Sequence, residues 1–494
     1  MVRRVGAQIG TPVGSGADRR SPDRARLAVP LVVGGAAFMQ AFDGSAVIVA
    51  LPAMARDFGL PVLSLNLVVI AYLVAATASL PACGWAADRF GARRVFLFAV
   101  AGFGLSSLAC MAATSLGWLV AARAVEGCMG ALLLPVGRII VLRSVPRGEF
   151  VSALAILSLP TMLGPLLGPT LGGLIVTAGS WRWLFAINIL VAIGGWFAVR
   201  RFIEDVPGEA PRRLDLPGLA MIGAALIGIS YGVTGFSQAG TPGWIVALML
   251  GCGIACAGLY WRHGRGNAQA ILDLGIFRLP VIAVANIGGL FQRLVIGAAS
   301  FLLTMLFQPG FGLDAATSGG LIFASALGAL LGRWFLPPAV ARFGFRNFLL
   351  GNSVLMALSV AVCAFVTPET PHVVILAILF LQGLIRAVQL IGLLTLSYSG
   401  VPDRDMGSAS TVASVSQQFA LSLGIALSVI ALQAAQHWQG VATLTPPVIA
   451  PAFLAIAAIS MLSMIWYWRL PRDIGRELSG ARAEQAAAEG ETAA

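Results

Sequence analysis

Three ionisable residues stand where a chain rarely tolerates charge. Asp43 interrupts one long apolar stretch, and Arg123 and Glu126 interrupt another. Arg123 and Glu126 are three apart, so on a helix they share one face, with Gly127 and Gly130 beside them. At 1.5 Å per residue Asp43 lies about 12 Å from the outer end of its helix, Arg123 about 9 Å and Glu126 about 13 Å from the outer end of theirs. The three share a depth. A carboxylate in a dry cavity can bind and release a proton when a conformational change withdraws a neighbouring guanidinium. The alternative is a static Arg–carboxylate pair that only neutralises buried charge.

Two further arginines, Arg293 and Arg386, fall roughly 18–20 Å from the starts of their helices, near the bilayer midplane, with Gln292, Gln382 and Gln389 beside them. They are candidates either for holding a substrate's acidic or carbonyl groups or for pairing with Asp43 or Glu126 across a cavity. Arg138 and Arg333 sit near enough to helix ends to snorkel and need no role.

The elements that must position these groups follow from composition. A chain of 494 residues that is 58% hydrophobic and 11% charged, with a mean hydropathy of +0.89, belongs in a bilayer. Apolar runs of the length needed to span one recur at 27–51, 62–84, 94–115, 117–142, 151–178, 183–202, 216–238, 243–261, 281–308, 315–338, 347–367, 372–398, 406–432 and 447–468. Fourteen spans result.

Arginines alternate between the loops. One set carries Arg19, Arg20, Arg24, Arg26, Arg89, Arg93, Arg94, Arg143, Arg147, Arg200, Arg201, Arg212, Arg213, Arg262, Arg265, Arg342, Arg346, Arg404, Arg472 and Arg476. The other set has Arg56 and Arg182. The positive-inside rule then puts both termini in the cytoplasm and accounts for the net charge of +11 without nucleic acid. The first apolar stretch is too long for a signal peptide and has no clear cleavage site, so its retention is expected.

Catalytic alternatives lose ground on residue types. The chain has no lysine, hence no Walker phosphate loop, and its three histidines, His263, His372 and His437, fall in loops without metal-ligand spacing. The six cysteines sit in or at the ends of apolar spans as buried thiols, and no metal or cofactor is expected.

The chain also repeats itself. "DRFGAR" at Asp88 to Arg93 returns as "ARFGFR" at Ala341 to Arg346, and "VEGCMGA" from Val125 returns as "LQGLIRA" from Leu381. Two matches in one order indicate a parallel duplication. The expected organisation is a cytoplasmic tail 1–26, a six-helix bundle 27–202, an inserted helix pair with its loops 203–280, a second six-helix bundle 281–468 and a cytoplasmic tail 469–494. Disorder is expected in both tails.

Two motifs concern the moving parts. "GWAADRFGARR" from Gly84 concentrates Asp88, Arg89, Arg93 and Arg94 in a turn where Gly91 permits a tight bend and Asp88 can face the positive N-terminus of a neighbouring helix. The arginines can pair with acids of adjacent helices in one conformation and not another. "LGPLLGPTLGGLI" from Leu163 sets Gly164, Gly168 and Gly172 as a smooth stripe, with Pro165, Pro169 and Gly173 in the same helix.

The first motif, in Gly84, Asp88, Arg89, Gly91, Arg93 and Arg94, resembles the signature loop between helices 2 and 3 of the major facilitator superfamily. The repeat copy keeps Arg342, Gly344 and Arg346 but has Ala341 in place of the acid. The glycine-proline helix resembles the antiporter motif of exporters in that superfamily. "FDGSAVIVALPAMARDFG", through Asp43, Ala50, Leu51 and Pro52, and "SWRWLFAINI" from Ser180 resemble segments of its fourteen-helix drug:proton antiporters. "LDLGIFR" before span 9 is similar to the same group. Arg123 and Gly127 match the R-x-x-Q-G pattern common in these proteins, with Glu126 in place of Gln.

The resemblance implies an all-α polytopic membrane protein of two pseudo-symmetric six-helix bundles plus an inserted pair. It implies a proton-coupled antiporter that exports small amphiphilic compounds across the cytoplasmic membrane by alternating access. Asp43, Arg123 and Glu126 would serve the proton, and the 84–94 loop the gate. Export of one particular metabolite or anionic product, or import by the same fold, are the alternatives. The expected partners are a small-molecule substrate, protons and the lipid bilayer, with no nucleic acid. The chain is expected to work as a monomer, with envelope accessory proteins as optional partners.

Overall fold

The computed structural model describes residues 22–144, 150–205, 215–236, 242–266, 270–272, 274–332, 334–398 and 406–470. Both ends beyond these, with Arg19, Arg20, Arg472 and Arg476, lie outside the described residues, as do Arg147, Arg212, Arg213, Arg333 and Arg404. Among the described residues every regular element is helical, because a backbone in lipid must satisfy its own hydrogen bonds.

Among the described residues, fourteen helices are long and apolar enough to cross a membrane. They are α1 (Pro22–Phe58), α2 (Asn66–Ser79, entered by a turn at Val62–Leu65), α3 (Ala92–Met111), α4 (Leu116–Ser144), α5 (Phe150–Ala178), α6 (Arg182–Phe202) and α7 (Leu216–Gly235). The rest are α8 (Gly243–Gly266), α9 (Val281–Gly310), α10 (Ala315–Gly332), α11 (Leu336–Val362), α12 (His372–Tyr398), α13 (Met406–Gln439) and α14 (Pro446–Tyr467). Helices α1–α6 and α9–α14 form two six-helix bundles.

Three departures from the sequence reading have physical causes. α1 continues through Pro52 to Phe58, and its last turn is held by Asp57, which accepts from Arg182 Nη1 at 2.5 Å and Trp181 Nε1 at 3.1 Å. That pairing also explains an arginine on the poorly charged side. The second span breaks at Leu80–Pro81 and restarts as a short helix Ala82–Phe90, so Gly84, Asp88 and Arg89 are helical and the bend is at Gly91 alone. Third, α13 runs on to Gln439 instead of ending near 432, and Gln436 and Gln439 hold its last turns to the following loop and to the first turn of α14 through the carbonyls of Ala442 and Pro447.

The repeat is visible in the backbone. Gly91 has φ 86°, ψ 132° and Gly344 has φ 72°, ψ 157°, a region that side-chain-bearing residues avoid. Helix contacts repeat as well: a Cβ on Gly127 of α4 would collide with the Tyr72 carbonyl of α2, and one on Gly383 of α12 with the Ser325 carbonyl of α10. Small residues let backbones approach where no hydrophobic force separates protein from lipid.

The glycine stripe of α5 packs on α1. Gly164 faces Ala41 and Phe42, Gly168 faces Ser45, and Gly172 faces Ala46. The next residue round the helix, Gly173, abuts the Ala315 carbonyl of α10, and Pro169 abuts Gly319. The two bundles also bond here: Thr170 Oγ1 donates to Gly319 O at 3.4 Å, the Ala316 amide to Thr177 Oγ1 at 3.0 Å, and Gln308 Nε2 to Val49 O at 2.8 Å. All three contacts lie towards the side away from the arginine loops, so that side is closed.

The inserted pair α7–α8 packs on itself through Gly228 and Gly253. α7 touches both bundles, at α2 and at α13. Asp215 caps α7 through the Gly218 amide at 2.9 Å and meets His263 Nε2 of α8 at 2.9 Å and the Ile271 amide at 3.4 Å. Burial pushes its carboxyl up, but the Gly218 amide, His263 and the Ile271 amide outweigh it, leaving Asp215 below the usual carboxylate range.

Candidate functional site

Five helices of the first bundle converge on one guanidinium. The i, i+3 spacing on α4 sets Arg123 and Glu126 side by side, and α1 brings Asp43 to the same depth. Arg123 Nη1 donates to Asp43 Oδ2 at 2.5 Å and to Glu126 Oε2 at 2.6 Å. From α6, Asn188 Nδ2 donates to Asp43 Oδ1 at 2.9 Å. From α3, the Ser107 hydroxyl bonds Glu126 Oε1, and Cys110 Sγ lies 3.6 Å from Oε2. From α2, Val68 O accepts from Arg123 Nε at 3.4 Å, and the Tyr72 ring lies 4.3 Å beneath the guanidinium. The Phe185 ring of α6 covers its far side at 5.9 Å.

The close approach of α2 to α4 at Gly127 is what brings the Tyr72 ring and the Val68 carbonyl within reach. Arg123 and Glu126 are fully buried and Asp43 is 2% exposed, so the charges are closed off from bulk solvent in this conformation. With both acids ionised the trio carries one net negative charge, and Arg123 Nη2 has no hydrogen-bond partner among the described residues. Burying unbalanced charge is costly. One added proton makes the group neutral, and because the acids share a nitrogen, that proton belongs to the pair and to neither alone.

Asn188, Ser107, Cys110 and Tyr72 are site residues that the sequence reading did not single out. Asn188 is the last residue of the W-R-W-x-F-x-x-N stretch, which carried the signal. Ser107, Cys110 and Tyr72 are ordinary residues of membrane helices and carried none.

The second bundle is organised differently from expectation. Gln292 Nε2 donates to Ser463 Oγ at 2.7 Å and Ser460 Oγ at 3.1 Å. Gln389 accepts from Asn352 Nδ2 at 2.7 Å and lies 3.4 Å from Tyr467 Oη. Gln382 lies against Cys363 at 3.8 Å. These glutamines tie α9, α11, α12 and α14 together inside the bundle. Arg293 is fully buried and reaches Ser416 Oγ at 3.4 Å. Arg386 is half-buried with no polar partner among the described residues. Pairing of either arginine with Asp43 or Glu126 does not occur, because Arg123 already holds both acids.

The loop charges are spread over several partners. Asp88 Oδ1 meets Arg143 of the last turn of α4 at 3.4 Å rather than a helix N-terminus. Arg93 Nη2 donates to Arg200 O at 2.9 Å, and Arg94 lies 3.6 Å from Asp205. Arg89 is exposed. Each is a solvated contact of modest strength.

Residues 33–218 match the model of the Major Facilitator Superfamily. A putative multidrug resistance protein MdtD of Klebsiella pneumoniae is 32% identical over 441 residues, 89% of this chain and 93% of that protein. One from Salmonella typhi is 31% identical over 454 residues, 92% and 96%. Among solved structures, a D-xylose-proton symporter superposes with a TM-score of 0.64 at 15% identity, covering 91% of this chain and 98% of its own. A POT family peptide transporter superposes at 0.65 and 14%, covering 90% and 98%. Near-complete coverage by the relatives, fourteen spans and a repeated backbone turn leave one conclusion: the chain is a multi-pass membrane transporter and belongs to the major facilitator superfamily.

Proposed function

We propose that the protein is a proton-coupled antiporter that exports small amphiphilic compounds by alternating access. It would sit in the cytoplasmic membrane with both termini inside. The observation that carries this reading is the shared nitrogen: two fully buried carboxylates on one guanidinium need one proton to be neutral. The relatives named for multidrug resistance support export of drug-like compounds.

In the mechanism, opening of the closed side separates α1 from α4, the pair loses or gains its proton, and the reverse motion carries the substrate. The stripe of α5 lets α1 slide against it, and the Asp88–Arg143 contact stabilises the arginine side in one state. Transport into proteoliposomes tests this with a compound panel, with and without an imposed pH gradient. Gradient-dependent uptake of amphiphiles is expected, and transport indifferent to the gradient overturns the coupling. Arg386, half-buried and without a polar partner among the described residues, favours a second reading in which the cargo is anionic or zwitterionic. Arg386→Gln then weakens transport of such compounds more than of cationic ones.

A further inference from the structure

A groove of about 280 Å³ opens on the outside of the first bundle between α1, α3 and α6, on the arginine-loop side of the central charges. Its lining is apolar: Leu31, Gly35 and Met39 from α1, Val100 from α3, and Gly194 and Ala198 from α6 are among the walls. It exists because side chains are missing. A Cβ on Gly35 or Gly194 would meet nothing within 4 Å. Leu31, Gly194 and the neighbouring Phe197 are exposed, which places the opening towards lipid. From Leu31 to Met39 the groove runs about 12 Å along α1, most of the roughly 15 Å hydrocarbon depth of one leaflet.

The groove ends beneath arginines. On α6, Gly194, Ala198 and Arg201 are spaced i, i+4, i+7 and share a face. On α3, Val100 and Arg93 are likewise seven apart, and Arg93 leans across to the Arg200 carbonyl. Arg93 Nε is buried without a hydrogen-bond partner among the described residues. Among the described residues at these helix ends the acids are Glu204 and Asp205, and Asp205 is matched by Arg94 at 3.6 Å. Among the described residues, four arginines, Arg93, Arg94, Arg200 and Arg201, thus outnumber two acids at these helix ends.

We propose that this groove binds one anionic phospholipid of the leaflet on the arginine side, with an acyl chain between α1 and α6 and the phosphate between Arg93 and Arg201. The apolar length fits a lipid chain, and the positive rim selects the headgroup. The inference is independent of proton coupling. Met39 and Val191, at the inner end, lie one turn from Asp43 and Asn188 on the same two helices, so an occupied groove fixes the spacing of α1 and α6 below the charge cluster.

Native mass spectrometry of the purified full-length protein tests it, with dioleoyl phosphatidylglycerol, dioleoyl phosphatidylethanolamine and glycerol phosphate as probes. Expected is one tightly held phosphatidylglycerol, weaker phosphatidylethanolamine, and no binding of glycerol phosphate. Arg201→Gln should weaken phosphatidylglycerol about fivefold, from the loss of one surface charge. Gly194→Leu, whose Cβ meets nothing within 4 Å and whose side chain would occupy the groove, should weaken both lipids by about tenfold or more; Gly35→Leu gives the same result from the other wall and guards against a folding defect in the first variant. Equal affinity for the two lipids overturns the role of the rim. Unchanged binding in both glycine variants overturns the groove. Displacement of the lipid by dodecyltrimethylammonium, in a manner lost in Gly194→Leu, would make the groove a substrate path instead.

Discussion

Asp43 and Glu126 meet on a single atom, Nη1 of Arg123, at 2.5 and 2.6 Å. The guanidinium therefore links α1 to α4, and in the proposed cycle the acid that lets go takes the proton. Asp43→Asn should abolish gradient-driven transport while leaving insertion intact, because it keeps the shape and removes the acid on the helix that moves. Counterflow without a gradient should survive. Full gradient-driven transport by this variant would remove Asp43 from the mechanism.

Glu126→Gln makes a different change. The cluster then holds one acid and one guanidinium and is neutral without a proton, so substrate exchange should persist with a weakened dependence on the pH gradient. The measurement is the ratio of uptake rates with and without the gradient. A ratio equal to that of the parent protein would show that Glu126 only balances charge.

Arg123→Ala leaves two buried carboxylates facing each other with no cation. Breaking a buried pair in this way costs about 3–5 kcal/mol, which should appear as a lowered thermal unfolding midpoint in detergent. The double variant Arg123→Ala, Asp43→Ala should recover part of the loss, since only one acid remains to be neutralised. No recovery would mean that the loss comes from the aromatic packing of Arg123 on Tyr72.

Much of this was legible in the chain. Spans, repeat and the depth match of Asp43, Arg123 and Glu126 all follow from the cost of charge and of unsatisfied backbone in lipid, which leaves marks in composition and spacing. Helix rotation leaves none. Gln292 and Gln389 have the same depth as Arg386 but turn into the bundle towards Ser463 and Asn352, a fact set by packing between helices distant in sequence. Asp88 was readable as a partner for something, while its actual partner, Arg143, depended on the break at Pro81.

Asp215 joins the inserted pair to the linker before α9. Asp215→Ala should lower stability by about 0.5–2 kcal/mol through loss of the helix cap. Because the folded carboxyl titrates below its ordinary value, the contribution of its ionised form is complete above the unfolded value near 3.8 and fades as pH falls through the lower folded one. The stability gap between parent and Asp215→Asn should therefore be flat at neutral pH and close only below about pH 4. A gap that closes well above pH 4 would overturn the assignment to the Asp215 carboxyl.

The closed side makes the last prediction. Thr177 and Ala316 are bonded across the bundles through the Ala316 amide at 3.0 Å, and alternating access requires this contact to open in every cycle. With the six native cysteines replaced, Thr177→Cys and Ala316→Cys should crosslink readily, stop transport when crosslinked and recover on reduction. Gly173 lies against the Ala315 carbonyl at the same seam, so Gly173→Val should hold the bundles apart there without touching the charge cluster. The expected result is a lower crosslinking yield. If crosslinking leaves transport intact, the seam does not open and the closed side is fixed.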